Sequence, residues 1–175
     1  MARRDGSSWL PGRLVLKAWF LFLAVFGGQM ALLSWADPWL TPRVNAATAQ
    51  MTAWALRLLG QEAHVEGPVV DNPILSIEVV WECTGITAIS LFLSAVVAYP
   101  CPWSRKLQGL AWGVPALLLI NIVRIVSLIY IGHWFPRAFE NAHVLVWQSL
   151  FIFFTVILWL VWITKFVEPR ESATT

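Results

Sequence analysis

Four side chains in this sequence could do chemistry together: the thiol of Cys83, the imidazole of His143, the guanidinium of Arg124 and the amide of Asn121. A thiol, a general base and a fixed cation are the parts of cysteine acyl transfer. Histidine can take the thiol proton, and the thiolate is the reactive form. The guanidinium can hold the thiolate or the oxyanion of a tetrahedral intermediate. Each residue also has a plainer reading. A lone cysteine is often a small buried apolar residue, an interfacial histidine is usually solvated or packed, and an arginine can snorkel or bond backbone carbonyls. What favours the chemical reading is their convergence, which depends on the elements that carry them.

Arg124 stands in NIVRIVSLIY, residues 121–130, with no acidic residue nearby. An arginine near the middle of a membrane span costs about 2.5–3.5 kcal/mol, so the default reading is function with a named partner. Asn121, three residues earlier, falls on the same helical face and could share the site. Cys83 opens an apolar run, with Gly85 two residues on, and His143 opens another. The second cysteine, Cys101, ends the same run as Cys83. About 18 residues at 1.5 Å put it roughly 27 Å away, beyond disulfide reach, and it reads as inert. His64 and His133 fall outside the spans, on the same side as His143. No Cys/His cluster has metal-ligand spacing, so neither a metal nor an organic cofactor is expected.

The chain of 175 residues is 58% hydrophobic and 13% charged, too apolar for an ordinary soluble globule. Twelve tryptophans agree, since indole favours the membrane–water boundary. About 20 apolar residues span the hydrocarbon core, and the stretches 14–35, 83–100, 108–132 and 143–164 qualify. The expected fold is an all-α integral membrane bundle of four transmembrane helices forming a single domain over 1–175. An outer interfacial amphipathic helix and a short β-hairpin complete it. The first span reads as an uncleaved anchor, its apolar run being longer than that of a signal peptide.

Arg3, Arg4, Arg13, Lys17, Arg105, Lys106, Lys165 and Arg170 all fall on one side of a four-span arrangement, and only Arg43, Arg57 and Arg137 on the other. The basic side is the cytoplasm by the positive-inside rule, which puts both termini there. Cys83, Arg124 and His143 then come from three different helices toward the outer leaflet.

In the outer segment, 36–82, the residues Val44, Ala47, Met51, Trp54 and Leu58 recur at steps of three and four. They predict a helix lying along the interface, starting near Thr41-Pro42 and stopping at Gly60. VEGPVV and ILSIEVVWE, separated by DNP, predict two strands of a hairpin leading into Cys83. One geometric difficulty stands out. Side chains of the third span lean toward its N-terminus, so Arg124 leans inward, away from the level expected for Cys83. The site closes only if that side chain folds back or the outer ends of the second and fourth helices are recessed.

Cys-x-Gly at the second span (Cys83, Gly85), Asn-x-x-Arg in the third (Asn121, Arg124) and the histidine heading the fourth (His143) resemble the exosortase/archaeosortase family, in order and over roughly 40–165. The resemblance implies a membrane-embedded cysteine protease or transpeptidase that cleaves C-terminal sorting signals of exported proteins through a Cys thioester. Such a signal comprises a short motif, a transmembrane helix and a basic tail. By this resemblance Cys83 is the nucleophile, His143 the base and Arg124 the stabilising cation, with Gly85 and Asn121 in support. The chain is shorter than many members and most similar to the compact exosortase H type, associated with IPTLxxW signals. The implied location is the bacterial inner membrane, with the site on the periplasmic side.

Two rivals follow from the same residues. A quinone-linked thiol oxidoreductase needs paired outer cysteines, and only Cys83 is expected outside. A non-catalytic assembly or binding protein would use Arg124 to hold a partner helix or an anionic lipid.

Overall fold

The computed structural model describes residues 12–139 and 142–167. The fold is largely helical. Helix α1 runs Gly12–Leu58, followed by strands β1 (His64–Glu66), β2 (Val69–Asp71) and β3 (Ile77–Glu78) and a 3-10 turn at Trp81–Cys83. Helix α2 is Ile86–Ala98 and α3 is Trp103–Trp134. A turn of π-helix at Ala142–Trp147 leads into α4, Gln148–Trp162, and a second π turn covers Ile163–Val167. Of the basic residues that orient the sequence, Arg3, Arg4 and Arg170 lie outside the described residues.

Among the described residues three helices are long and apolar enough to cross a membrane: Gly12–Leu58, Trp103–Trp134 and Leu145–Val167. Helix α2 is apolar and uncharged but has only 13 residues, about 20 Å at 1.5 Å per residue. It begins three residues later and ends two residues earlier than the expected run of 83–100. It packs against α1, α3 and α4 and so forms the centre of the bundle. Both of its ends are fixed by particular residues. Gly85 precedes it with φ +76°, a conformation glycine adopts at no steric cost. At the other end Lys106, 8% exposed, donates from Nζ to the Val97 carbonyl at 2.5 Å and lies over the Trp103 ring.

Close packing around α2 relies on small residues. A side chain at Gly113 of α3 would collide with the Phe92 ring, and one at Gly109 with Trp162. Small residues at helix contacts let backbones approach within lipid, where apolar burial gives little drive. Ala88, Phe92, Val96, Leu117, Phe151 and Trp162 form this inner core. Gln29 of α1 adds an interhelical hydrogen bond, donating from Nε2 to Ser94 Oγ at 2.8 Å.

The outer segment departs from expectation in two respects. The interfacial helix is not a separate element: α1 continues through Pro38 and Pro42 for 47 residues, about 70 Å. A proline inside a helix removes one ladder hydrogen bond, which long helical flanks can outweigh. Here Thr41 also ties back to Asp37 through its hydroxyl. The predicted stripe of Ala47, Met51, Trp54 and Leu58 is exposed, with Val44 only partly buried. The buried face carries Thr48, Ala49, Thr52, Ala53 and Leu56 instead. Thr48 and Thr52 return their hydroxyls to the carbonyls of Val44 and Thr48, which removes their polar cost at a packed face.

The hairpin is a three-stranded antiparallel meander in the order β1-β2-β3. Glu66 pairs with Val69, so the first turn falls at Gly67-Pro68, inside the stretch expected to be one strand. Gly67 has φ +59°, and proline cannot donate to a ladder, so the pair bends the chain. Val70 pairs with Ile77 and packs with Val79, Ala49, Ala53, Ile125 and Ile129 in an outer core. The sheet is thereby fixed to α1 and α3, and the chain leaving β3 is delivered to Cys83. Asn72 holds the connecting loop, donating to the Glu62 carbonyl and accepting from the Ile74 amide.

Candidate functional site

Cys83 ends the 3-10 turn that joins the sheet to α2, its amide bonded to the Val80 carbonyl at 2.9 Å. The thiol is half-buried against the outer core. His143 lies in the π turn that opens the last helix. Its Nε2 stands 3.6 Å from Cys83 Sγ, and its ring stacks on Phe139, with centroids 6.2 Å apart. Single π turns are frequent at functional sites.

Arg124 and Asn121 approach the same turn from α3. Arg124 is 3% exposed and Asn121 is 2% exposed. Arg124 Nη1 donates to the Glu82 carbonyl at 3.2 Å, and Asn121 Nδ2 donates to the Cys83 carbonyl at 2.8 Å. The two residues, one helical turn apart, therefore hold consecutive carbonyls of the segment that carries the thiol. Arg124 also lies over the Phe151 ring of α4, 5.7 Å from its centroid. Its own carbonyl accepts the Ser127 hydroxyl at 2.7 Å.

Gly85 makes this approach possible. A β-carbon there would stand 3.1 Å from Asn121 Cγ and 3.1 Å from Phe151 Cζ, in a conformation that L side chains rarely adopt. Helix α3 has 32 residues and α2 only 13, so α2 starts well short of the C-terminal end of α3. Cys83 is recessed to the depth of Arg124. This removes the geometric difficulty met in the sequence: the turn that carries the thiol lies within hydrogen-bond reach of Asn121 and Arg124.

The structure thus brings Cys83, His143, Arg124, Asn121 and Gly85 together. The remaining candidates lie elsewhere. Cys101 is in the connection between α2 and α3, separated from Cys83 by the length of α2. Burial pushes its thiol up, against the opposing effect of Lys106 and Arg105. His133 Nδ1 lies 3.1 Å from the Ile74 carbonyl and joins α3 to the loop before β3. His64 is an exposed residue of β1. Among the described residues no group of three or more His, Cys, Asp or Glu could hold a metal ion. An apolar cavity of about 490 Å³ lies between α1, α2 and α4, lined by Trp19, Phe22, Leu91, Tyr99 and Trp159, and includes none of the site residues.

Sequence reasoning missed Phe151, Phe139 and the two main-chain carbonyls. Nothing in an apolar run distinguishes a phenylalanine under a guanidinium from one facing lipid. The carbonyls could have been sought, since a buried arginine with no acid in reach must find backbone oxygens.

The comparisons with known proteins bear on the family of the chain. The family model of the transmembrane exosortases matches residues 6–164. Archaeosortase A of Haloferax volcanii is 35% identical over 80 residues, which is 45% of this chain and 24% of the archaeosortase. The match thus spans about a quarter of that relative's length. No solved structure matches the chain. On the extent of the family match, the chain belongs to the transmembrane exosortases.

Proposed function

We propose that this protein is a membrane-embedded cysteine transpeptidase acting on exported proteins with a C-terminal motif, transmembrane helix and basic tail. His143 takes the Cys83 proton, and the sulfur attacks the scissile carbonyl to form a new S–C bond. Arg124 stabilises the oxyanion. The C–N bond then breaks, the departing amine receives the proton from His143, and the acyl thioester passes to an acceptor. One observation carries this reading: the 3.6 Å approach of Cys83 Sγ to His143 Nε2 beside a buried arginine that, among the described residues, bonds a main-chain carbonyl and no carboxylate.

The chain crosses the inner membrane of a bacterium four times in this reading, with α2 as the short second crossing and both termini in the cytoplasm. The site opens toward the periplasm, and the far half of α1 carries the β-sheet on its buried face. The compact type suggests signals of the IPTLxxW kind. The binding alternative, with Arg124 gripping lipid or a partner helix, fits less well: Arg124 is 3% exposed and committed to the Glu82 carbonyl. Co-expression of a signal-bearing substrate with wild type and with Cys83→Ala tests the proposal. Wild type shortens the substrate and the variant does not; processing by Cys83→Ala would overturn the covalent mechanism.

A further inference from the structure

Among the described residues, two polar atoms at the site are buried without a partner: Asn121 Oδ1 and Arg124 Nε. They belong to residues at most 3% exposed, and each residue's other polar end is already used on the carbonyls of Cys83 and Glu82. The orientation of the Asn121 amide is settled by its neighbour, because the Cys83 carbonyl needs the Nδ2 donor. The oxygen is therefore the end left over. Buried polar groups are almost always bonded, so an orphan acceptor and an orphan donor one helical turn apart form a pair that a bound ligand would satisfy. A ligand that satisfies both presents one N–H and one C=O, as a peptide group does.

Given the acyl-transfer chemistry proposed above, on which this assignment rests, we infer that Asn121 Oδ1 accepts the N–H of the scissile peptide bond while Arg124 Nε meets its carbonyl oxygen. Phe151 lies over the pair, its ring against Arg124 and against the spot shared by Gly85 and Asn121. Substrate entry turns that ring aside. The bond to Asn121 has a particular effect at the amide nitrogen. As that nitrogen becomes tetrahedral, an acceptor holding its N–H leaves the lone pair facing the opposite side, toward the protonated His143. Asn121 moves no proton itself. Its contribution is specific to an amide, because an ester has no N–H to hold.

A matched pair of substrates isolates this role: a peptide p-nitroanilide and the p-nitrophenyl ester of the same Ile-Pro-Thr-Leu peptide, with the full chain in lipid nanodiscs. Asn121→Ala slows both, because the Cys83 carbonyl loses its donor, but lowers the anilide-to-ester rate ratio by roughly ten-fold or more. Asn121→Asp keeps an acceptor oxygen and loses the donor, so it slows both substrates while leaving the ratio within about three-fold of wild type. An unchanged ratio in Asn121→Ala, or a collapsed ratio in Asn121→Asp, overturns the assignment. Turnover that survives in Cys83→Ala, or a wild type that cleaves neither probe, would instead count against the acyl-transfer reading.

Discussion

The sulfur of Cys83 and Nε2 of His143 lie 3.6 Å apart although 60 residues separate them in the chain. The contact depends on two local irregularities, the 3-10 turn that ends on the cysteine and the π turn that carries the histidine. His143→Gln keeps a polar side chain of similar reach but removes the base. Its processing rate should fall by about 10²–10⁴-fold, with the protein still present in the membrane at its normal level. Processing within a few-fold of wild type would remove His143 from the mechanism.

Arg124→Lys keeps the positive charge inside the membrane and loses the planar fork that reaches the Glu82 carbonyl and leaves Nε free. Charge alone predicts retained activity; fork geometry predicts a loss of roughly 100-fold or more. We expect the loss, measured as processing rate normalised to membrane protein level.

Two glycines with nearly equal positive φ give an internally controlled comparison. Gly60 has φ +78° with nothing within 4 Å of an added β-carbon, whereas Gly85 has φ +76° and meets Asn121 and Phe151 at 3.1 Å. Gly60→Ala should cost about 1 kcal/mol from backbone conformation. Gly85→Ala adds a packing conflict and should cost about 1–3 kcal/mol more. Thermal unfolding in detergent reads the difference, and processing should be lost only in the Gly85 variant.

Lys106 is buried for a structural reason, capping the end of α2 over the Trp103 ring. Lys106→Met retains the apolar stem and leaves the Val97 carbonyl unpaired. It should lower stability by about 1–3 kcal/mol, read as an earlier unfolding transition, while processing below that temperature persists. Loss of processing in a well-folded Lys106→Met protein would contradict this division of roles.

The site was more legible in the sequence than the shape that holds it. Cys83, Asn121, Arg124 and His143 are conspicuous because each interrupts or opens an apolar run. Their common depth was not legible, because the length of α2 is set by Gly85 and by the chain leaving Ala98, and the hydropathy of 83–100 is continuous across both. The outer half of α1 misled for a related reason. In water its large apolar stripe would be the packed face. Here Ala49, Ala53 and two back-bonded threonines make the contact, and Met51, Trp54 and Leu58 stay exposed. Proline 42 marks a plausible helix start in isolation, yet the helix passes through it.

The covalent intermediate itself gives the most direct measurement. Hydroxylamine added to membranes containing the enzyme and a signal-bearing substrate intercepts a thioester and releases the acyl part as a hydroxamate, identified by mass spectrometry at the substrate's new C-terminus. The wild type should yield that hydroxamate, and Cys83→Ala should yield neither hydroxamate nor shortened substrate. Shortened substrate that never carries the hydroxamate, or that forms equally well without the Cys83 sulfur, would contradict the account.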